Sequence, residues 1–253
     1  MLKFIFGRAA CGKTYEIIKL VEKSAKTGER PLLLVPEQFS FESEKLVLDA
    51  LGDCDFQNVT VTSFTRLCSE TEQISGGICF KSLSDADKHI LMQRAVKSVS
   101  SDLKLWAKYF ASAGFADEML KTVEEFKLQG IYPEDLKEAS NEASGEKLRL
   151  KLSDTALIYS EYNALTAESF LDPSDRLERL CRFIETGDYF KNRPVFVDSF
   201  KGFTGQQFKL LKKIISQSPS VTIAVTYDPD ADRQYGVFHN ISKTVNKLKA
   251  YAE

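Results

Sequence analysis

Near the start of the chain an apolar run, Leu2 to Phe6, leads directly into Gly7-Arg8-Ala9-Ala10-Cys11-Gly12-Lys13-Thr14, and a helix-period stretch follows at once. This is the pattern GxxxxGK[ST] set between a strand and a helix. Its glycines let the backbone curl around phosphate oxygens, its lysine is a mobile positive charge, and its hydroxyl is a magnesium ligand. The helix that follows adds a positive dipole end at the same place. Residues Gly7, Arg8, Ala9, Ala10, Cys11, Gly12, Lys13 and Thr14 are therefore the candidate nucleotide-binding loop, with ATP and Mg2+ as the expected ligands. A glycine-rich turn that binds nothing, or a relic loop that binds poorly, would be built from the same residues. Cys11, inside the loop and at a helix N-terminus, also reads as a reactive thiol.

The pattern after the loop extends the constraint. Short apolar or β-branched runs at Leu2–Phe6, Pro31–Val35 and Asn58–Thr62 alternate with helical periods near Lys13–Ser24, Phe39–Leu51 and Ser63–Glu72. Strands alternating with helices imply a parallel sheet with right-handed crossovers. From Ser82 to about Thr186 the strand signal vanishes and apolar residues recur at helical spacing, as in Phe115, Met119, Val123 and Phe126. Ser84 with Asp87 reads as a capping box, and Pro133 and Pro173 stand where helices start afresh. Strand pattern returns at Pro194–Asp198 and Val221–Thr226, around a helix near Gly205–Ser216, and an amphipathic helix near Ile241–Tyr251 closes the chain. The expectation is an α/β domain made of residues 1–81 and 187–253, interrupted by an all-helical subdomain at 82–186.

A hydrophobic share of 43% with 28% charged residues suits a chain with a buried core, and no apolar run is long enough to cross a bilayer. Met1–Phe6 leaves no room for a signal peptide. Cys11, Cys54, Cys68, Cys79 and Cys181 show no metal-ligand spacing, and their odd number argues against a disulfide framework, so a reducing cytoplasm is the expected setting. The net charge of −2 supplies no global attraction to nucleic acid, so any such contact must be local. His89 and His239 stand in no triad or metal pattern.

A nucleotide site of this kind needs an acidic residue at the end of another parallel strand to hold magnesium. Arg193-Pro-Val-Phe-Val-Asp198 supplies one in Asp198, which joins Thr14 as a candidate metal ligand; the same aspartate also fits a plain strand end. The following residue is Ser199, where hydrolytic motors commonly have a glutamate that polarises water. A hydroxyl is no general base at neutral pH, so nucleotide binding without efficient turnover is expected and no catalytic residue is assigned.

In order, these motifs resemble superfamily 1 DNA helicases, in which a RecA-like P-loop domain is interrupted by a helical subdomain. Val61-Thr-Ser-Phe-Thr-Arg66-Leu67 is similar to a segment that contacts single-stranded DNA there. Leu171-Asp172-Pro173-Ser174-Asp175-Arg176-Leu177 is similar to the acidic signature before the magnesium-binding strand, and Val197-Asp198-Ser199-Phe200 stands where those helicases have V-D-E-F. With Leu34-Val35-Pro36-Glu37-Gln38-Phe39-Ser40-Phe41, the chain more closely resembles the N-terminal part of the AddB family, one of the two components of the AddAB helicase-nucleases. The resemblance implies a DNA-repair and recombination protein and a heterodimeric partner, an AddA-type helicase-nuclease. It also implies DNA ends and single-stranded DNA as ligands, with a part in recognising Chi. The family's nuclease domain and iron-sulfur cysteines belong beyond Glu253, so no cluster or nuclease site is expected in these residues.

Gln38 and Phe39 follow the second strand, and Ser63, Phe64, Thr65 and Arg66 follow the third. Both groups fall at the carboxyl edge of the sheet, where open α/β sheets bind ligands. Rings stack on bases, glutamine bonds base edges, and hydroxyls and arginine hold phosphates, so these six are the candidate DNA contacts. Core packing of the two rings and helix capping by Ser63 explain the same residues. Lys191, Asn192 and Arg193 form a further basic stretch that a solvated loop accounts for equally. An active P-loop ATPase or small-molecule kinase, and a scaffold with a vestigial loop, stay open as other functions.

Overall fold

The computed structural model describes residues 1–74, 81–112, 114–167, 170–231 and 236–251. The chain divides into two compact units, one made of Met1–Gly77, Leu177–Phe203 and Gln207–Glu253, the other of Ile78–Arg176 and Thr204–Gln206.

The first unit is built on β1 (Leu2–Gly7), α1 (Lys13–Lys26), β2 (Leu32–Leu34), α2 (Ser40–Phe56), β3 (Thr60–Thr62) and α3 (Phe64–Ile74). The second holds β4 (Lys81–Ser82), α4 (Asp85–Ser98), α5 (Phe115–Gln129), α6 (Pro133–Glu142), α7 (Glu146–Ala167) and β5 (Phe170–Leu171). The chain returns to the first through α8 (Arg176–Thr186), β6 (Val195–Val197), α9 (Gly205–Gln217), β7 (Val221–Thr226) and α10 (His239–Lys249).

All neighbouring strands of the main sheet run parallel, in the order β1-β7-β6-β2-β3. The strands read as continuous apolar runs because helices cover both faces. Leu32 and Leu34 point into a core shared with α3, α8, α9 and α10, through Leu67, Ile184, Leu211 and Leu248. Leu33 and Val35 point the other way, against Ile17, Val21 and Val47 of α1 and α2. The period of two places successive residues on opposite faces, so β1, β2, β6 and β7 each serve both cores. The α/β class and the parallel sheet agree with the sequence pattern. Helix α2 departs from α-geometry at Gly52, whose φ of 71° is the left-handed region that glycine alone enters cheaply, next to the expected end at Leu51.

The second unit is helical apart from one departure from expectation: β4 and β5 pair in parallel, Lys81 with Phe170 and Ser82 with Leu171. Two-residue strands are too short to leave a period-two signal in the sequence. The capping box is present, with the Asp87 amide donating to Ser84 Oγ at 3.2 Å and the Ser84 amide to Asp87 Oδ2 at 3.0 Å. Pro133 opens α6, as its fixed φ favours. Tyr159, Tyr162, Val123 and Met92 fill the core. Buried Asp154 on α7 accepts the backbone amides of Lys104, Leu105 and Trp106 at 2.7 to 3.1 Å, which satisfies the start of a short 3-10 turn, Trp106–Lys108.

Among the described residues no helix is long and apolar enough to cross a membrane. Cys79 lies outside them.

Candidate nucleotide and nucleic-acid edge

The sheet register sets the site. Leu34 of β2 is level with Val197 of β6 and with Thr62 of β3, and Val197 is level with Ile223 of β7. Because all strands point the same way, the turns after them emerge along one edge, roughly 5 Å apart per strand. The loop at Gly7, the turn at Tyr227–Asp228, the pair Asp198–Ser199, the segment Pro36–Phe39 and the segment Ser63–Arg66 follow in that order along it.

At one end of the edge the loop after β1 takes an alternating backbone. Ala10 has φ 59° and Gly12 φ 88°, both left-handed, and Gly12 caps α1 while its carbonyl accepts from the Glu16 amide at 3.1 Å. Successive amides turned by such alternation form a concave nest for an anion. A Cβ at Gly7 would crowd Cys11 Sγ, so a larger residue there would make that exposed side chain turn away. The Lys13 ammonium is folded across the loop, donating to the Arg8 carbonyl at 2.6 Å with Cys11 Sγ at 3.9 Å. Arg8, Ala9, Ala10, Cys11 and Gly12 are exposed, and Lys13 and Thr14 half-buried. Arg8 donates through Nε to Asp228 at 2.7 Å, a partner that sequence reading did not assign and that only strand adjacency brings there.

Asp198 sits one strand away from β1, since β7 lies between them, and is 4% exposed. Its amide continues the ladder to Leu34 and its Oδ1 accepts the Ser199 amide at 2.7 Å. Ser199 itself has φ 66°, an unusual conformation for a residue with a Cβ. The loop conformation, the Lys13 ammonium and the strand-end carboxylate are of the chemical kinds that a nucleoside triphosphate with magnesium would need.

At the other end Gln38 is exposed and Phe39 half-buried in a 3-10 turn, Glu37–Phe39, leading into α2. Thr65 and Arg66 are exposed. Ser63 and Phe64 are placed otherwise than the DNA-contact reading requires. Ser63 is 2% exposed, with its Oγ donating to Glu37 Oε2 and accepting the Arg66 amide at 3.2 Å, so it caps α3 and binds the two segments together. Phe64 is 7% exposed and meets Phe200 and Phe203 edge-on, at 5.4 and 6.5 Å between centroids. Its ring serves the core in this conformation, because the hydrophobic gain of burying it outweighs leaving it as an open platform. Its contact with Phe200 also links the turn after Asp198 to the start of α3.

The acidic signature is structural. In the second unit Lys127 of α5, 3% exposed, donates to Asp172 at 2.7 Å and to Asp175 at 2.9 Å, and Asp172 also accepts the Ser174 amide at 2.9 Å. Lys127 stands 5.4 Å from the Tyr162 ring centroid. Burial works to raise the Asp172 carboxyl, but the Lys127 charge and the hydrogen bonds from Lys127 and Ser174 outweigh it and hold the group below the ordinary carboxylate range. Arg193 lies at the opposite, amino edge, donating to Thr60 Oγ1 at 2.5 Å and stacking 5.0 Å from the Tyr189 centroid, so that basic stretch is absorbed locally.

The family model described as ADDB, N-terminal, matches residues 4–253. The chain belongs to the AddB N-terminal family. Among curated relatives, the B component of the ATP-dependent helicase/deoxyribonuclease of Clostridium acetobutylicum is 32% identical, covering 100% of this chain and 22% of the relative. The protein of that name from Clostridioides difficile is 34% identical over 90% of this chain and 20% of its own length. That from Thermoanaerobacter sp. strain X514 is 30% identical over 98% of this chain and 22% of its own length. The chain thus spans about a fifth of the length of the AddB relatives it matches.

Proposed function

We propose that this AddB N-terminal region binds ATP with magnesium at one end of its sheet edge and single-stranded DNA at the other, within a helicase-nuclease that processes DNA ends. The observation that carries this reading is that both sets of residues, distant in sequence, emerge along one carboxyl edge of a single parallel sheet. The amides between Ala9 and Thr14 and the Lys13 ammonium would hold the phosphates, with Arg8 beside them, while Thr14 and Asp198 would hold magnesium. Bound ATP would supply a phosphoanhydride whose cleavage by water needs a base, and Ser199 offers none. Turnover by this site is therefore slow, and nucleotide serves to hold the edge in one state.

For the nucleic acid, exposed Gln38 bonds base edges, Phe39 supplies a partly open ring, and Thr65 and Arg66 take phosphates. Ser63 and Phe64 support them from beneath. The resemblance extends the reading to an AddA-type partner and to Chi in the single strand, with cytoplasmic DNA as the substrate. The deoxyribonuclease activity in the relatives' names is assigned to none of these residues.

Equilibrium binding of a fluorescent ATP analogue, and steady-state ATP hydrolysis with and without single-stranded DNA, test the nucleotide half. Binding lost in Lys13→Ala, with hydrolysis near background, is the expected result. Fast turnover stimulated by DNA and abolished in Lys13→Ala would refute the slow-site reading. Salt-dependent binding of a single-stranded oligonucleotide, weakened in Gln38→Ala/Arg66→Ala, tests the other half.

A further inference from the structure

Arg66, the arginine among the proposed DNA contacts, is held by two carboxylates from the neighbouring segment. Its Nη1 lies 2.5 Å from Glu44 Oε1 on α2, and its Nε 3.4 Å from Glu37 Oε1 in the 3-10 turn. The two acids differ in their other contacts. Glu37 also accepts from Ser63, and its carbonyl accepts from Ser40 Oγ at 2.8 Å, so it is tied into the frame that joins the two segments. Glu44 projects from the first turns of α2 and is joined to α3 through Arg66.

We propose that Glu44 is a charge competitor for the phosphodiester at Arg66, and that Glu37 is the positioning residue that keeps the guanidinium aimed while the competitor is exchanged. This rests on the single-stranded DNA reading given above. Arg66, Glu37 and Glu44 side chains are 44%, 55% and 34% exposed, and exposed ion pairs are worth at most about 1 kcal/mol. A phosphate oxygen offers the same charge-assisted bond that Glu44 gives up, because the guanidinium fork accepts either anion in the same plane. Glu44 then lies beside a bound phosphate as a like charge. The acid therefore lowers affinity for any single-stranded backbone and leaves net binding dependent on further contacts, such as those of Gln38 with bases. A site loaded this way stays largely unfilled by strands that lack the further contacts, since the phosphate contact alone gains little.

The complete protein is assayed with a fluorescein-labelled oligothymidylate at low salt, as wild type, Glu44→Gln, Arg66→Ala and the double variant. Glu44→Gln keeps size and hydrogen bonding and removes charge at an exposed position, so folding is preserved. It is expected to tighten binding about two- to fivefold, and Arg66→Ala to weaken it, with the effect of Glu44→Gln clearly smaller in the Arg66→Ala background, where only the like-charge repulsion is relieved. Tightening of the same size without Arg66, or unchanged or weaker binding in Glu44→Gln, overturns the inference. A second measurement needs no DNA: phenylglyoxal modification of Arg66, followed by peptide mass spectrometry, is expected to run faster in Glu44→Gln. An unchanged rate overturns the clasp itself. A faster rate in a protein that binds no oligothymidylate upholds the clasp and defeats the DNA reading alone. Glu37→Gln, which keeps an acceptor for Ser63, is expected to preserve binding better than Glu37→Ala.

Discussion

Arg8 and Asp228 form an ion pair at 2.7 Å that ties the glycine-bounded loop after β1 to the turn after β7, across 220 residues of sequence. The guanidinium is largely exposed and the carboxylate mostly covered, 70% against 21%, so the arginine is the partner that can leave.

Two substitutions at this pair have opposite expected signs. Arg8→Ala removes a cation from the mouth of the nest and weakens binding of a fluorescent ATP analogue by about three- to tenfold. Asp228→Asn removes a nearby anion and strengthens it by about two- to fivefold. Titrations at one ionic strength check both, and equal signs for the two would show that the pair acts through loop geometry instead of charge.

Lys127 and Asp172 are expected to govern the stability of the helical unit. Lys127→Met leaves a buried carboxylate without its ammonium and costs about 3–5 kcal/mol in urea unfolding, whereas Lys127→Met/Asp172→Leu recovers much of the loss. The Asp172 carboxyl is held below its ordinary value, so its contribution is complete above the unfolded-state pKa, near 4, and disappears as pH falls through the folded-state value. The difference in stability between wild type and Asp172→Asn should therefore narrow on acidification below about pH 4 and stay constant between pH 6 and 8.

Ser199 holds left-handed backbone at the position where the proposed ATP site would need a base. Ser199→Gly is expected to raise unfolding stability by about 1 kcal/mol by relieving φ 66°, and Ser199→Val to lower it by a similar amount or more. Ser199→Glu restores a carboxylate beside Asp198, and the expected gain in ATP hydrolysis stays below about 100-fold because this backbone does not aim it at water. Thermal or urea unfolding and a phosphate-release assay separate the two effects.

The thiols divide by environment. Cys11 and Cys54 are exposed, Cys68 is buried, and burial followed by the Glu185 charge pushes the Cys181 thiol up to about 11. Of the four thiols among the described residues, iodoacetamide at neutral pH is expected to label Cys11 and Cys54 first and Cys181 slowly, read by peptide mass spectrometry. Magnesium-ATP should slow Cys11 alone, since that residue lies inside the loop.

The sequence by itself determined the α/β class and the positions of the long strands, because apolar runs, helical periods, glycine placement and the Ser84–Asp87 cap are local in origin. It also placed Gln38 and Arg66 after parallel strands, and so at one edge. Tertiary structure alone decided what those residues meet. Phe64 went into the core because Phe200 and Phe203 converge on it, and Arg66 acquired two carboxylates because β2 and β3 are neighbours. The acidic signature at Asp172 turned into a buried anchor because α5 delivers Lys127 from 45 residues away, and the loop at Arg8 gained Asp228 because β7 inserts beside β1. Each of these depends on strand order and helix packing, which fix distances between segments that no local pattern encodes.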